Sequence, residues 1–159
     1  MMLKNKVAIV TGGTRGIGFA VVKKFIENGA AVSLWGSRQE TVDQALEQLK
    51  ELYPDAKISG KYPSLKDTAQ VTAMINQVKE EFGAVDILVN NAGISQSTSF
   101  YNYQPEEFQK IVDLNVTAVF NCSQAAAKIM KEQGGGVILN TSSMVSIYGQ
   151  PSGCGYPAS

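Results

Sequence analysis

The stretch that most constrains the fold covers residues 6–18, where an apolar run leads directly into a glycine-rich loop. Residues 7–10 read Val-Ala-Ile-Val, which is typical of a strand covered on both faces of a parallel sheet. Apolar residues then recur at helical spacing, which predicts a helix closed by Gly29 whose inward side chains are Ile17, Val21, Phe25 and Ile26. A strand, a glycine turn and a helix N-terminus can bind a phosphate through main-chain N–H groups. Taken alone, the motif is equally compatible with a tight turn that needs glycine only for its geometry.

The remainder of the chain alternates strands with helices. Strands are predicted over residues 30–35, 57–62, 86–89 and 137–139, and helices after the turn at 36–38, over 66–82, and from Pro105 through Met130. The inward side chains expected in these three helices are Val42, Leu46, Leu49 and Tyr53; Val71, Met74, Ile75, Val78 and Phe82; and Phe108, Ile111, Val112, Val119 and Cys122. Such alternation predicts the α/β class, an open, doubly wound parallel sheet with helices on both faces and right-handed crossovers.

Polar and glycine residues follow four of the predicted strands. The first strand ends in the glycine loop, the second in Gly36-Ser37-Arg38, the fourth in Asn90-Asn91-Ala92-Gly93 and the fifth in Thr141-Ser142-Ser143. Ligands of open parallel sheets bind outside the carboxyl ends of the strands, near the point where the strand order reverses. We therefore expect these four ends to converge on one crevice.

Composition limits the classes of partner. A chain of 159 residues fits one domain, and 14 basic against 14 acidic residues leave no net charge, so nucleic acid is not expected as a partner. No apolar run approaches the roughly 20 residues of a membrane span, and residues 1–6 carry no signal-peptide core, so no membrane association and a cytoplasmic location are expected. With no histidine and two distant cysteines, Cys122 and Cys154, we expect no metal site and two buried small residues.

The glycine spacing G-x-x-x-G-x-G at positions 12, 16 and 18, preceded by Thr11, resembles that of the short-chain dehydrogenase/reductase family. The resemblance extends along the chain through Asn90-Asn91-Ala92-Gly93, Asn115, Ser143 and Tyr156. It implies a Rossmann-type sheet with five of the family's seven strands, in the order 3-2-1-4-5, and an NAD(P)-binding domain over residues 1–159 that is incomplete at its C-terminal end. It also implies a full-length form that is a homo-oligomer acting on a small-molecule carbonyl or alcohol.

Ketone reduction needs a proton donor and a hydrogen-bond donor close to the carbonyl oxygen. Tyr156 and Ser143 can supply these two groups, and the resemblance assigns them that role. A free phenol has a pKa near 10, which a nearby cation lowers; the family supplies a lysine four residues after the tyrosine, at what would be position 160. Asn115 falls on the inward stripe of the long helix, so its amide needs hydrogen-bond partners. The resemblance implies that it organises a water relay to that lysine. The alternative is a core asparagine that bonds to neighbouring backbone.

The cofactor residues implied by the resemblance lie at the four strand ends: Gly12, Thr14, Arg15, Gly16, Ile17 and Gly18; Ser37 and Arg38; Ser64 and Leu65; and Asn91, Ala92 and Gly93. NAD enzymes usually carry an acid after the second strand, where this chain has Gly36. Arg15, Arg38 and Ser37 suit a 2′-phosphate instead, so NADP(H) is expected in preference to NAD(H). The alternative is that Arg38 is a solvated residue at a helix entry. Ser64 stands where the family has an aspartate that contacts adenine.

Three functions stay open at this point. Residues 11–18 and 147–159 resemble bacterial 3-oxoacyl-acyl-carrier-protein reductases, whereas residues 26–29 and 49–54 are similar to bile-acid 3-alpha-hydroxysteroid dehydrogenases. Without the lysine, the 159-residue chain is expected to be inactive by itself, and a nucleotide-binding protein without catalysis is the alternative of another class.

Overall fold

Five parallel strands form one sheet in the computed structural model, which describes residues 1–159. The strands are β1 Val7–Thr11, β2 Ala31–Trp35, β3 Ile58–Lys61, β4 Ile87–Asn90 and β5 Val137–Asn140. Their spatial order is β3-β2-β1-β4-β5, which confirms the predicted α/β sheet and its strand order. The order reverses between β1 and β4, and this reversal opens a crevice at the carboxyl ends of these two strands.

The helices are α1 Gly16–Glu27, α2 Gln39–Leu52, α3 Thr68–Phe82, α4 Pro105–Val112, α5 Ala118–Glu132, α6 Val145–Tyr148 and α7 Gly155–Ala158. Their starts follow from local chemistry. Asp67 caps α3 by accepting hydrogen bonds from the N–H groups of Ala69 and Gln70, and Pro105 occupies the first turn of α4. None of the helices is both long enough and apolar enough to cross a membrane.

The strand β1 shows why the sheet is covered on both faces. Ala8 and Val10 point into a core formed with α1 and α2, whereas Val7 and Ile9 point into a second core formed with α3 and α5. Every residue of β1 is buried, as its uninterrupted apolar run predicts. The sequence period of two therefore divides the side chains between two separate hydrophobic layers.

The inward face predicted for α1 was wrong in part. The buried residues of the helix are Gly18, Val22 and Ile26, while Ile17 is 70% exposed. The glycine loop brings α1 over the end of β1, so its first turn faces the crevice rather than the core. Ile17 therefore lies on the crevice side of the helix.

The long helix predicted from Pro105 to Met130 is present, but a π-helical turn over Asp113–Thr117 joins α4 to α5. A π turn adds one residue to a helical turn and commonly marks a functional region of a helix. Ile111 and Cys122 are buried as predicted, whereas Phe108 is 39% exposed. The Gly-, Pro- and Ser-rich end of the chain, for which no helix was predicted, contains the one-turn helices α6 and α7.

Candidate active site

A cleft of about 280 Å³ lies at the carboxyl ends of β1, β4 and β5. It brings together seven of the residues predicted as site residues, drawn from five parts of the chain: Ile17, Asn91, Ala92, Gly93, Asn115, Ser143 and Tyr156. Asn90, Thr141, Ser142, Ser146 and Ser159 complete much of its polar lining. Of the four strand ends expected to converge, those of β4 and β5 line the cleft, and the first contributes Ile17 from the helix that follows it. The Gly36-Ser37-Arg38 end of β2 does not line it, so the prediction that all four ends meet in one crevice is wrong for β2. A larger depression of about 750 Å³, at the amino ends of β1, β2 and β3, contains none of these residues.

The glycine loop between β1 and α1 presents an open side and a packed side. A side chain on Gly18 would collide with the Gly12 carbonyl oxygen and the Asn91 side-chain amide, so only glycine fits there. Gly16, in contrast, has a positive φ of 56° and no atom within 4 Å of the place where a Cβ would stand. The first turn of α1 has no side-chain cap and no acidic residue, which leaves its N–H groups available to an anion.

Thr11, which the sequence analysis did not place in the site, connects the two central strand ends. Its buried Oγ1 accepts hydrogen bonds from the N–H groups of Asn91 and Ala92, both at 3.0 Å. The side-chain amide of Asn91 donates in return to the carbonyl oxygens of Thr11 and Gly12, at 3.1 and 3.3 Å. Asn91 is therefore held by protein partners, and its side chain fixes the glycine loop against the end of β4. The position of Thr11, as the last residue of β1 before the first glycine, was the signal for this role.

Asn90 and Asn140 form a polar pair between β4 and β5. Asn90 is buried, and its Nδ2 donates to Asn140 Oδ1 at 2.8 Å and to Ser123 Oγ at 2.9 Å. The two asparagines are direct neighbours in the parallel register of the strands. The pair therefore ties the strand that leads to Ser143 to the centre of the sheet.

The side chains expected near the adenosine end of a dinucleotide lie outside the cleft, beyond the ends of β2 and β3. Ser37 and Arg38 are exposed at the start of α2, and Arg15 is exposed at the start of α1. Neither arginine takes part in any of the four ion pairs of the structure. A Cβ on Gly36 would stand 2.7 Å from methyl carbons of both Thr14 and Val42, so an acidic side chain at this position does not fit without displacing them.

Ser64 and Leu65 are held by main-chain contacts after β3. The N–H of Ser64 donates to Gln70 Oε1 at 3.0 Å, and the Leu65 carbonyl accepts from Asn121 Nδ2 at 3.0 Å. Asn121 is buried in α5 and also accepts from Thr68 Oγ1 at 3.1 Å. It is a second positioning residue that the sequence analysis missed, because an asparagine in a helix gives no signal of the loop it will meet.

Asn115 lies within the π turn and is half-buried in the cleft wall. Its Oδ1 accepts from the Ile94 N–H at 2.9 Å, and its Nδ2 donates to the Ile94 carbonyl at 3.0 Å and to Ser159 Oγ at 2.9 Å. Asn115 therefore bonds to the backbone of Ile94 and to a side chain, and this arrangement is compatible with both roles considered from the sequence. The amide links the loop after β4 to the end of α7.

Ser143 and Tyr156 reach the cleft from two consecutive segments. Ser143 follows β5, and its Oγ accepts from the Val145 N–H at 3.4 Å, while Tyr156 lies in α7. Both side chains are half-buried, and neither hydroxyl hydrogen-bonds to the other. Two hydroxyl groups that can donate hydrogen bonds therefore face the same cleft.

The two cysteines lie in different environments. Cys122 is 1% exposed within the core, and burial raises the pKa of its thiol to about 12. Cys154, two residues before Tyr156, is half-buried, which corrects the expectation that both cysteines are buried. Neither lines the cleft, and no group of three or more potential metal-ligating side chains is present.

Comparison with known proteins identifies the family. The model of the short chain dehydrogenase family matches residues 6–159. The chain belongs to this family. The 3-oxoacyl-(acyl-carrier-protein) reductase FabG of Chlamydia muridarum is 35% identical over 157 residues, covering 99% of this chain and 63% of that protein. The enzyme of the same name from Staphylococcus aureus is 36% identical over 159 residues, with coverages of 99% and 63%.

Two solved structures share the fold of this chain. Levodione reductase superposes with a TM-score of 0.92 at 33% identity, covering 98% of this chain and 61% of that one. NAD⁺-bound xylitol dehydrogenase superposes with a TM-score of 0.93 at 27% identity, with coverages of 99% and 60%. The short-chain dehydrogenase chain described here therefore spans about 63% of the length of the curated relatives it matches.

Proposed function

We propose that this short-chain dehydrogenase is an NADP(H)-dependent oxidoreductase that interconverts a ketone and a secondary alcohol, with a 3-oxoacyl thioester as the preferred class of substrate. One observation carries the proposal. Ser143 and Tyr156, whose hydroxyls can donate hydrogen bonds, line the same cleft as Ile17 and residues 91–93, which follow the ends of β1 and β4. The 3-oxoacyl reductases among the relatives support this substrate class.

The residues present fit a nicotinamide dinucleotide. The open side of Gly16 and the uncapped first turn of α1 leave room and N–H donors for the diphosphate. Ala92 and Gly93 have no side chain long enough to fill the floor of the cleft. A Cβ on Gly93 would find its nearest atom, Asn115 Oδ1, at 3.4 Å. The nicotinamide end would therefore lie against Ile17, Ala92 and Gly93.

When bound, NADPH supplies a hydride to the carbonyl carbon of the substrate. The Tyr156 hydroxyl donates a proton to the carbonyl oxygen, and Ser143 donates a hydrogen bond to the same oxygen as negative charge develops. Asn115 keeps the loop at Ile94 and the end of α7 in fixed positions around these two groups. The division between proton donor and hydrogen-bond donor follows from the Brønsted acidity of a phenol, which exceeds that of an aliphatic alcohol.

Preference for NADP(H) is supported by charge and by space at the end of β2. Arg15 and Arg38, the only arginines of the chain, begin the two helices that follow β1 and β2, and both are free of carboxylate partners. A guanidinium group can pair with a phosphate through two parallel hydrogen bonds. Gly36 provides no carboxylate at the position where NAD enzymes usually carry an acid, and a side chain there would have to displace methyl groups of Thr14 and Val42.

The dissociation constants of NADPH and NADH test this preference. A hydrogen-bonded charge pair contributes about 1.5–3 kcal/mol, and solvent exposure favours the lower value, so Arg15→Gln or Arg38→Gln should weaken NADPH about tenfold. NADH should change by less than about twofold, because it lacks the 2′-phosphate. Lys128→Gln, an exposed cation on α5 without an ion pair, is the matched control. Tighter binding of NADH than of NADPH by the unmodified protein would contradict the preference.

A substrate screen separates the remaining functions. The protein expressed from the complete reading frame that encodes this chain is assayed with NADPH and either a 3-oxoacyl thioester or a 3-oxosteroid. Faster turnover of the thioester supports the proposal, whereas faster turnover of the steroid supports a hydroxysteroid dehydrogenase. Binding of NADPH without turnover of either ketone supports a nucleotide-binding protein that does not catalyse.

A further inference from the structure

Tyr156 lies in the first turn of the helix α7, one residue after its start at Gly155. The segment that leads into this helix therefore helps to set where the Tyr156 side chain stands. Residues 150–155, here called the tyrosine segment, precede the Tyr156 side chain and pack against residues 96–103, here called the β4 loop.

Hydrogen bonds join these two segments at two adjacent points. The Gly153 N–H donates to the Thr98 carbonyl at 2.9 Å. The Gln150 side-chain Nε2 donates to the Gly153 carbonyl at 2.9 Å and to the Gln96 carbonyl at 3.4 Å, so one amide group spans both segments. Gln96 Nε2 in turn donates to Thr98 Oγ1 at 3.0 Å, which fixes the β4 loop internally.

Gly153 fits this junction because it has no side chain. Its φ is 71°, and a Cβ there would overlap the main-chain carbonyl of Gln96. Two independent restrictions, one of backbone conformation and one of space, thus apply at the same residue. A side chain at 153 would have to separate the tyrosine segment from the β4 loop.

A third contact lies directly beside Tyr156. A Cβ on Gly155 would stand 2.5 Å from the Tyr103 hydroxyl oxygen, so the Tyr103 ring forms a wall against the start of α7. This ring packs edge-to-face on Phe108, with centroids 6.4 Å apart and an interplanar angle of 72°. The Tyr103 hydroxyl is buried and has no hydrogen-bond partner, so Tyr103 and Gly155 are in van der Waals contact without a hydrogen bond.

We propose that Gln150 and Gly153 are positioning residues, which set the place of the Tyr156 hydroxyl in the cleft by fixing the tyrosine segment on the β4 loop. The proposal rests on the function proposed above for Tyr156. Proton transfer requires heavy atoms within about 2.6–3.2 Å, and a misplacement of roughly 1 Å can cost about 100-fold in rate. A disturbed junction should therefore lower kcat. The KM for NADPH should stay nearly constant, because no glycine-loop residue takes part in the junction.

Two glycines allow a matched test in the protein expressed from the complete reading frame. Gly149 has a φ of 73°, almost the same as Gly153, but no atom lies within 4 Å of its Cβ position. Gly149→Ala therefore also places a side chain at a positive φ, but without the collision. We expect Gly153→Ala to lower kcat at least about tenfold more than Gly149→Ala, with the KM for NADPH within about twofold in both. Equal losses of kcat in the two variants would overturn the proposal.

Gln150→Glu is a second variant that keeps the backbone unchanged. A carboxylate would face the carbonyl oxygens of Gln96 and Gly153 instead of donating to them, so amide hydrogen exchange at Gly153 should accelerate and kcat should fall. Gln48→Glu, at an exposed position of α2 with no side-chain hydrogen bond, is the control. Unchanged exchange at Gly153 would overturn the proposal.

Activity and exchange together separate this proposal from the proposed function. If Tyr156→Phe abolishes turnover while Gly153→Ala and Gln150→Glu keep full kcat, the function stands and the positioning role is wrong. If the unmodified protein reduces no ketone, the proposed function fails. In that case, hydrogen exchange at the Gly153 amide still tests the junction. Slow exchange in the unmodified protein and faster exchange in Gln150→Glu would support the junction.

Discussion

The hydroxyl of Thr11 should contribute more to stability than its size suggests. It accepts from the N–H groups of Asn91 and Ala92, which follow the last residue of β4 and have no other acceptor. Thr11→Val keeps the shape but leaves both donors unpaired. Each unsatisfied buried donor costs about 1–3 kcal/mol, and the half-buried location at the cleft favours the lower value. The expected loss is therefore about 2 kcal/mol, or roughly 4–8 °C in Tm for a chain of this length.

Thr11→Ser is the matched control, because it keeps the hydroxyl and removes one buried methyl group. Its expected cost is about 1 kcal/mol, or roughly 2–4 °C. Thermal unfolding by calorimetry measures both changes, and NADPH titration should show weaker binding for the valine variant alone. If Thr11→Val is as stable as the unmodified protein, or Thr11→Ser loses as much as Thr11→Val, the hydroxyl does not hold the two strand ends together.

Three further predictions concern buried groups. Because burial raises the pKa of the Cys122 thiol to about 12, a thiol reagent at pH 8 should modify Cys154 in the folded protein and leave Cys122 unmodified. The free energy of unfolding should also fall as pH rises from about 9 towards 12, because in this range the thiol of Cys122 loses its proton in the unfolded chain but not in the fold. A fall no larger than that of Cys122→Ser over the same range would contradict this. Tyr103→Phe removes a buried hydroxyl without a partner, so Tm should stay constant or rise, and a fall of several degrees would show that the hydroxyl has a bound partner in solution.

The sheet and its order could be predicted because local signals and topology agree. The apolar runs in β1 and β4, the glycine loop and the Pro105 start each point to one element, and the strand–helix alternation allows few topologies. The strand order also predicted where a cleft would lie, because the polar residues follow the carboxyl ends of the strands. Ser143 and Tyr156 were found through a family motif, because nothing in their spacing alone shows that they meet.

The features that escaped prediction depend on contacts between distant parts of the chain. Thr11 and Asn121 act on loops about 80 and 56 residues away in sequence. The place of Thr11 before the first glycine is a local signal, whereas Asn121 has none. The π turn at Asp113–Thr117 continues a helix without a break in composition, so the sequence pattern did not reveal it. Phe108, which the predicted stripe placed inward, lies before that turn and is 39% exposed. Ile17 was assigned inward because periodicity cannot distinguish a core from a cofactor cleft.

Comparing Tyr156→Phe with the unmodified protein tests the central assignment most directly. Single-turnover oxidation of bound NADPH by a 3-oxoacyl thioester, in the protein expressed from the complete reading frame, reports the chemical step itself. General acid catalysis contributes about 10²–10⁴-fold, so the variant should be slower by at least about 100-fold while its Kd for NADPH changes by less than about twofold. Turnover by Tyr156→Phe at the unmodified rate would show that this tyrosine is not the proton donor of the cleft.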